Sequence, residues 1–287
     1  MKPGMDRMTP VVLGLRRGCI EMAQSLTTRA DQIWIVLMNG IFLAVLWFQR
    51  DNTIPGTDIS LALATLPSLI GMSVLVTGWM GVAQQLAVER EDGTLLRAKA
   101  TPNGMLGYLV ARVTFAALNA ALGVAVFVVA GFLILDGLGD VPATGWLLLP
   151  AVLGLGLLAT LPWGAIIGSL VKSSQAGFGL SFLPAAAMVA ISGVFYPISG
   201  LPDWLHPVAQ VFPMYWLGLG MRAALSPEAA AAAEIGGSWR HLETFAVLGL
   251  WAVVGLAIAP RILRRMARRE SGSQLEERRQ RALQYGN

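Results

Sequence analysis

Charge is what this sequence of 287 residues uses least. Asp, Glu, Lys and Arg make up 13% of it, against about 25% in an ordinary soluble domain, while hydrophobic residues make up 55%. A soluble chain of this length needs far more polar surface to cover its core, so that class is excluded. Cysteine is nearly absent: Cys19 stands alone, which rules out an intramolecular disulfide and a thiolate metal cluster. Histidine occurs twice, at His206 and His241, with Asp203 and Glu243 close in sequence. Polar tips at a membrane rim account for these better than a metal site does. Lysine occurs three times, at Lys2, Lys99 and Lys172, after Met, Ala and Val respectively. No Gly-Lys pair exists, so the phosphate cradle of a P-loop has no sequence to form it.

What is abundant is uncharged apolar sequence. Runs without Asp, Glu, Lys or Arg cover Ile33–Gln49, Ile59–Val88, Val113–Leu135, Val141–Val171, Ser173–Pro202 and Thr244–Pro260. Each reaches about 17 residues or more, enough to cross a hydrocarbon core of about 30 Å as a helix. The runs offer only neutral polar groups such as Asn39, Thr77 and Asn119. Proton coupling relies on ionisable groups held within spans, and an intramembrane enzyme needs a base beside its nucleophile. Both classes therefore lack their chemistry here.

The distribution of basic residues sets the orientation. With six spans and both ends on one side, Lys2, Arg7, Arg16, Arg17, Arg29, Arg90, Arg97, Lys99, Arg112, Lys172 and the eight arginines of residues 261–281 share that side. Only Arg50, Arg222 and Arg240 fall opposite, as the positive-inside rule requires of a cytoplasmic face. A seventh crossing through the charge-free run Trp204–Met221 would invert the Arg-rich tail, and Pro207 and Pro213 interrupt that run. We expect a re-entrant segment there. Residues 1–31 read as a cytoplasmic tail and an interfacial helix, with Val11, Val12, Leu15, Cys19, Met22 and Leu26 apolar between Arg16, Arg17 and Arg29. Met1–Arg7 is too polar for the apolar core of a cleaved signal. Residues 32–260 form the membrane domain, with spans about 33–49, 59–83, 110–135, 145–170, 177–198 and 243–260; residues 261–287 form a basic, frayed tail. The fold class is an all-α polytopic membrane protein.

Two stretches carry more than solubility demands. Residues 89–102 read Glu-Arg-Glu-Asp-Gly-Thr-Leu-Leu-Arg-Ala-Lys-Ala-Thr-Pro between two apolar runs. From Ser192 to Leu225 come Ser-Gly-Val-Phe-Tyr-Pro, Leu-Pro-Asp-Trp-Leu, Phe-Pro-Met-Tyr-Trp and Arg-Ala-Ala-Leu. In this order and spacing they resemble ABC-2 type export permeases, the drug-resistance export subgroup in particular, over residues 10–265. The resemblance implies a pair of six-span permease subunits in a bacterial inner membrane, with two copies of a separate ATPase. ATP and Mg would sit on that partner, leaving this chain without a cofactor or catalytic site. It also implies an ATPase-coupling element: Glu89, Arg90, Glu91 and Arg97 as polar contacts, Leu95 and Leu96 filling a groove on the ATPase, and Gly93 turning the chain. Thr94 would cap the short helix that ends near Thr101, and the N-terminal helix looks like the family's elbow helix.

Cargo is less defined. Neutral, aromatic spans suit a hydrophobic or amphipathic small molecule, with Asn39, Phe42, Thr65, Ser68, Met72, Phe182 and Met188 on the spans that line the cavity in this family. Helix packing is the competing explanation for each of them. Lipid or glycan export is the alternative within the family, and gradient-driven transport the alternative outside it; nucleic acid has no basic channel to follow. The topology is testable: reporters fused after Asn287 and at residue 173 should read as cytoplasmic, and one near Glu228 as external. An external C-terminus would restore the seventh crossing.

Overall fold

A computed structural model describes residues 5–53, 60–91, 93–101, 103–135, 138–171, 173–196 and 198–284, and nearly all of them are helical. The first two helices, α1 (Met5–Thr27) and α2 (Arg29–Gln49), part at Thr28, whose backbone is extended. Then come α3 (Leu61–Leu75), a π-helical turn at Val76–Gly81, α4 (Val82–Glu91) and the short α5 (Thr94–Ala100). Two long helices follow, α6 (Gly104–Ile134) and α7 (Ala143–Leu170), then α8 (Ser174–Ala190). The chain closes with α9 (Leu205–Val211), α10 (Pro213–Leu225) and α11 (His241–Gln284).

Five of these stretches are long and apolar enough to cross a membrane: α2, Leu61–Arg90, α6, α7 and the first part of α11. The remaining apolar helix, α8, has 17 residues and ends at Ala190, earlier than the boundary near 198 that the sequence suggests. Its length of about 25 Å is short against a core of about 30 Å. The chain leaves the helix in turns at Ile191–Tyr196, where Gly193 takes φ 71°.

The Leu61–Arg90 stretch, here called span 2, is the axis of the bundle, with 72% of its apolar window inside the protein. It runs past residue 83, where the sequence expectation stopped it, because Glu89 and Arg90 find partners on neighbouring helices. Small residues let α7 press against it. A Cβ on Gly164 would lie 2.3 Å from the Gly78 carbonyl oxygen and 2.7 Å from that of Trp79. The π turn sits at this contact, and such turns concentrate where helices serve a function. Trp79 stacks on Trp163 of α7 at 6.5 Å between ring centres, and Trp163 meets Trp251 of α11 at 4.9 Å. The Trp251 indole donates to the Val211 carbonyl at 2.9 Å, which fastens the end of α9 to the same column.

The 204–221 region divides at Phe212 into two helices of 7 and 13 residues, each too short to cross. Pro213 opens α10 at a position where its missing N–H costs nothing. α10 is packed against α3, α7 and α11, with Met214, Tyr215, Leu217 and Leu219 fully buried. Helix α1 lies along α6, and Gly14 and Gly18 make the crossing. A Cβ on either would come within 2.5 Å and 2.7 Å of the Gly107 and Ala111 carbonyl oxygens. This four-residue spacing of glycines lets two backbones touch. Val12, Leu15 and Ile20 stay exposed. At the other end, α11 passes through Pro260 and continues to Gln284 instead of fraying. The Leu, Glu, Gln, Arg and Ala of this stretch are strong helix formers.

Because backbone atoms cannot yield as a side chain can, Gly164→Ala should cost about 1–3 kcal/mol through overpacking. Gly179→Ala on α8, where a Cβ meets nothing within 4 Å, should be neutral. Thermal unfolding of both variants in detergent checks the pair; equal melting temperatures would contradict the close α7–span 2 contact.

Candidate functional site

Where span 2 ends, the chain makes two left-handed turns around one short helix. Gly93 takes φ 75° before α5, and Asn103 takes φ 57° after it. Glycine is the residue that adopts the first without strain. Gly104 then follows so tightly that a Cβ would collide with the Ala98 carbonyl oxygen at 2.1 Å. Helix α5 is thus a rigid step between span 2 and α6. Leu95, 1% exposed, anchors it by packing with Leu86 of α4, Tyr108 of α6 and Met266 of α11.

Behind this step lies a buried charge cluster drawn from three helices. Tyr108 donates to a Glu89 carboxylate oxygen at 2.5 Å, and the Arg112 guanidinium lies 3.2 Å from the other. That second contact is close in distance but not aligned as a hydrogen bond. Arg112 also pairs with Glu21 of α1, which in turn accepts from Arg17 at 2.7 Å. Glu89 is 7% exposed. A carboxylate buried this far requires a matched cation, and Arg112 serves two of them. On the other side of span 2, Arg90 donates to the Gly168, Ser169 and Val171 carbonyls, the first two at 3.2 and 3.0 Å. These are the unsatisfied acceptors at the end of α7, where the helix dipole also favours a cation.

A family model described as ABC-2 family transporter protein matches residues 41–259, most of the chain and all of this corner except α1 and the end of α11. The chain belongs to the ABC-2 family. No curated protein is similar enough to count as a match. The family makes the chain a multi-pass membrane subunit of an ABC transporter, of the kind that associates with an ABC ATPase.

In this ABC-2 permease the residues expected to contact the ATPase divide into two sets. Arg97 and Thr101 are exposed, and Thr94 is part-buried beside them. Glu89, Arg90 and Leu95 point inward, where they hold the corner together instead of presenting polar contacts or filling a partner's groove. The reason is reach: they occupy the last turn of α4 and the inner face of α5. Thr94 does not cap α5; Gly93 holds the capping position, and the Thr94 hydroxyl instead accepts from Arg97 at 3.0 Å. The side chains of Glu91 and Leu96 lie outside the described residues. Sequence reading missed Glu21, Tyr108 and Arg112 as parts of this site. Their one signal was spacing, with Tyr108 and Arg112 four residues apart at the start of a span.

The expected cargo-lining residues are not brought together around a cavity. Thr65, Ser68, Met72 and Met188 are buried in the protomer's core. Thr65 and Asn39 bond back to the Leu61 and Ile35 carbonyls of their own helices, the usual use of such groups in packed spans. Phe42 lies 6.5 Å from Phe127 between ring centres. Phe182 alone of the set is well exposed, stacked on Phe178 at 5.3 Å.

Removing Arg112 would take a cation from the buried Glu89 and leave Glu21, 22% exposed, with Arg17. Arg112→Ala should therefore cost about 3–5 kcal/mol, the range for breaking a buried pair from one side. Folded yield and thermal unfolding in detergent measure it, with Arg97→Ala as the surface control, expected within about 0.5 kcal/mol. Equal stability of the two variants would contradict the cluster.

Proposed function

We propose that this chain is the permease of an ATP-driven exporter that moves a hydrophobic or amphipathic small molecule out of a bacterial cell. It works as one of two permease copies with two separate ATPase subunits, which hold the ATP and Mg. The α5 face is cytoplasmic, both termini lie on that side, and α9 and α10 dip in from outside.

One observation carries this reading. A short helix fixed between two left-handed turns is tied by Leu95, Glu89 and Arg90 to α1, α4, α6, α7 and α11. A push on the exposed side of α5 is passed inward, because Leu95 packs its inner face against α4, α6 and α11. It must move the ends of several helices together. Span 2 receives the displacement at α4 and can bend at the π turn, where the regular hydrogen-bond ladder is already broken. Closure of the ATPase dimer on ATP would supply the push, and tilting of span 2 would open the cargo path.

Two measurements test the proposal. The purified chain should neither hydrolyse ATP nor be labelled by ATP analogues, and transport in vesicles should need the ATPase and survive an uncoupler. Transport that persists without ATP and stops with an uncoupler would contradict it. Arg97→Glu, at an exposed position, should leave folding unchanged and weaken association with the ATPase tenfold or more, about 1.4 kcal/mol. Unaltered association would remove α5 from the docking surface.

A further inference from the structure

Arg222 counts, in the sequence, as one of three basic residues on the outer side. In the fold it is 6% exposed and holds three separate pieces of chain. Its Nε and Nη2 grip the Glu234 carboxylate at 2.6 and 3.2 Å. Its Nη1 donates to the Ser68 hydroxyl of span 2 at 2.7 Å and lies 3.5 Å from the Gly193 carbonyl in the turn after α8. Glu234 follows a short 3-10 helix, Glu228–Ala233, in the loop that leads back to α11. That loop has its own joint at Gly236 and Gly237, with φ 80° and 63°, and Trp239 pins it by donating to Glu228 at 3.0 Å. Beneath it lies a recess bordered by Thr65, Tyr196, Ile198 and Trp239.

A buried ion pair adds little net stability over an apolar filling, so this one fits a role in specifying an arrangement. Here one guanidinium joins α10, span 2, the end of α8 and the loop, and span 2 cannot leave α10 without surrendering the Ser68 contact. The recess beside the pair is partly enclosed and about 40 Å³ in volume, room enough for water to reach the charges when they separate. That makes the contact reversible in a way that a sealed pair is not.

We propose that Arg222 and Glu234 form the latch of the outer exit: while Arg222 holds Ser68 and Gly193 the exit is shut, and it opens when the Ser68 contact is released. This rests on the export reading above, and it assigns Arg222 and Glu234 as positioning residues.

The test uses the assembled permease–ATPase complex in a cysteine-free background, Cys19→Ser, with Met72→Cys as the probe, 6% exposed and one helical turn along span 2 from Ser68, whose hydroxyl stays in place. A small membrane-impermeant thiosulfonate is added from the outer side. Labelling should be slow at rest and about tenfold faster during ATP turnover, since its rate follows the open population. Adding Glu234→Gln should raise the resting rate by a similar factor without ATP, about tenfold as the latch loses its charge partner. Glu228→Gln, which removes a neighbouring charge but leaves Arg222 paired with Glu234, should stay slow. Labelling that remains slow during demonstrated ATP-driven transport would overturn the latch, as would an unchanged resting rate with Glu234→Gln. The second comparison needs no ATP, so failure of the export reading, seen as transport without ATP, is told apart from failure of the latch.

Discussion

Glu89 and Glu21 approach each other on different helices, and a single guanidinium, Arg112, makes that approach possible. Two carboxylates near one another repel, and Arg112 between them, with Arg17 beside Glu21, offsets that repulsion. The cluster sits where α1 lies along α6 and span 2 packs against α6, close to α5 at the end of span 2. The glycine crossing at Gly14 and Gly18 brings α1 near enough for Glu21 to reach, and Tyr108 completes the coordination of Glu89. Packing supplies the attraction; the charges choose the register.

Span 2 then links two matched cations of opposite ends. Arg112 fixes it near α5, and Arg222 holds it through Ser68 at the far end. Between them lies the π turn at Val76–Gly81, pressed by α7 and flanked by the column of Trp79, Trp163 and Trp251. A rod tied at both ends and softened in the middle is suited to turn a displacement at one end into release at the other. The ABC-2 family membership gives that arrangement its setting, a membrane subunit beside an ATPase.

Much of this was legible in the sequence where the physics is local. Charge-free length gives apolar helices, and five of the described ones are long and apolar enough to cross a membrane. Gly93 takes φ 75°, a backbone angle that glycine adopts without strain. The break before Pro213 follows from the missing donor. What was not legible depends on which way a side chain turns. Glu89 and Leu95 sit in a polar block between two apolar runs, yet both lie on the inner faces of their helices, 7% and 1% exposed. Arg222 and Ser68 are 154 positions apart, and no local pattern connects them. The small hydroxyl residues of the spans look the same in sequence whatever they bond; here Thr65 bonds back to its own helix and Ser68 accepts from Arg222, both of them buried.

The central claim is that force applied at α5 travels through the Glu21–Arg112–Glu89 cluster. A double-mutant cycle on Glu21→Gln and Glu89→Gln, scored as cargo moved per ATP hydrolysed in the assembled complex, tests it most directly. Residues acting as one unit are strongly non-additive, so the account predicts that each single change lowers the ratio and that the double is little worse than the more severe single. Independent effects that multiply in the double variant, or a ratio that none of the three changes lowers, would contradict it.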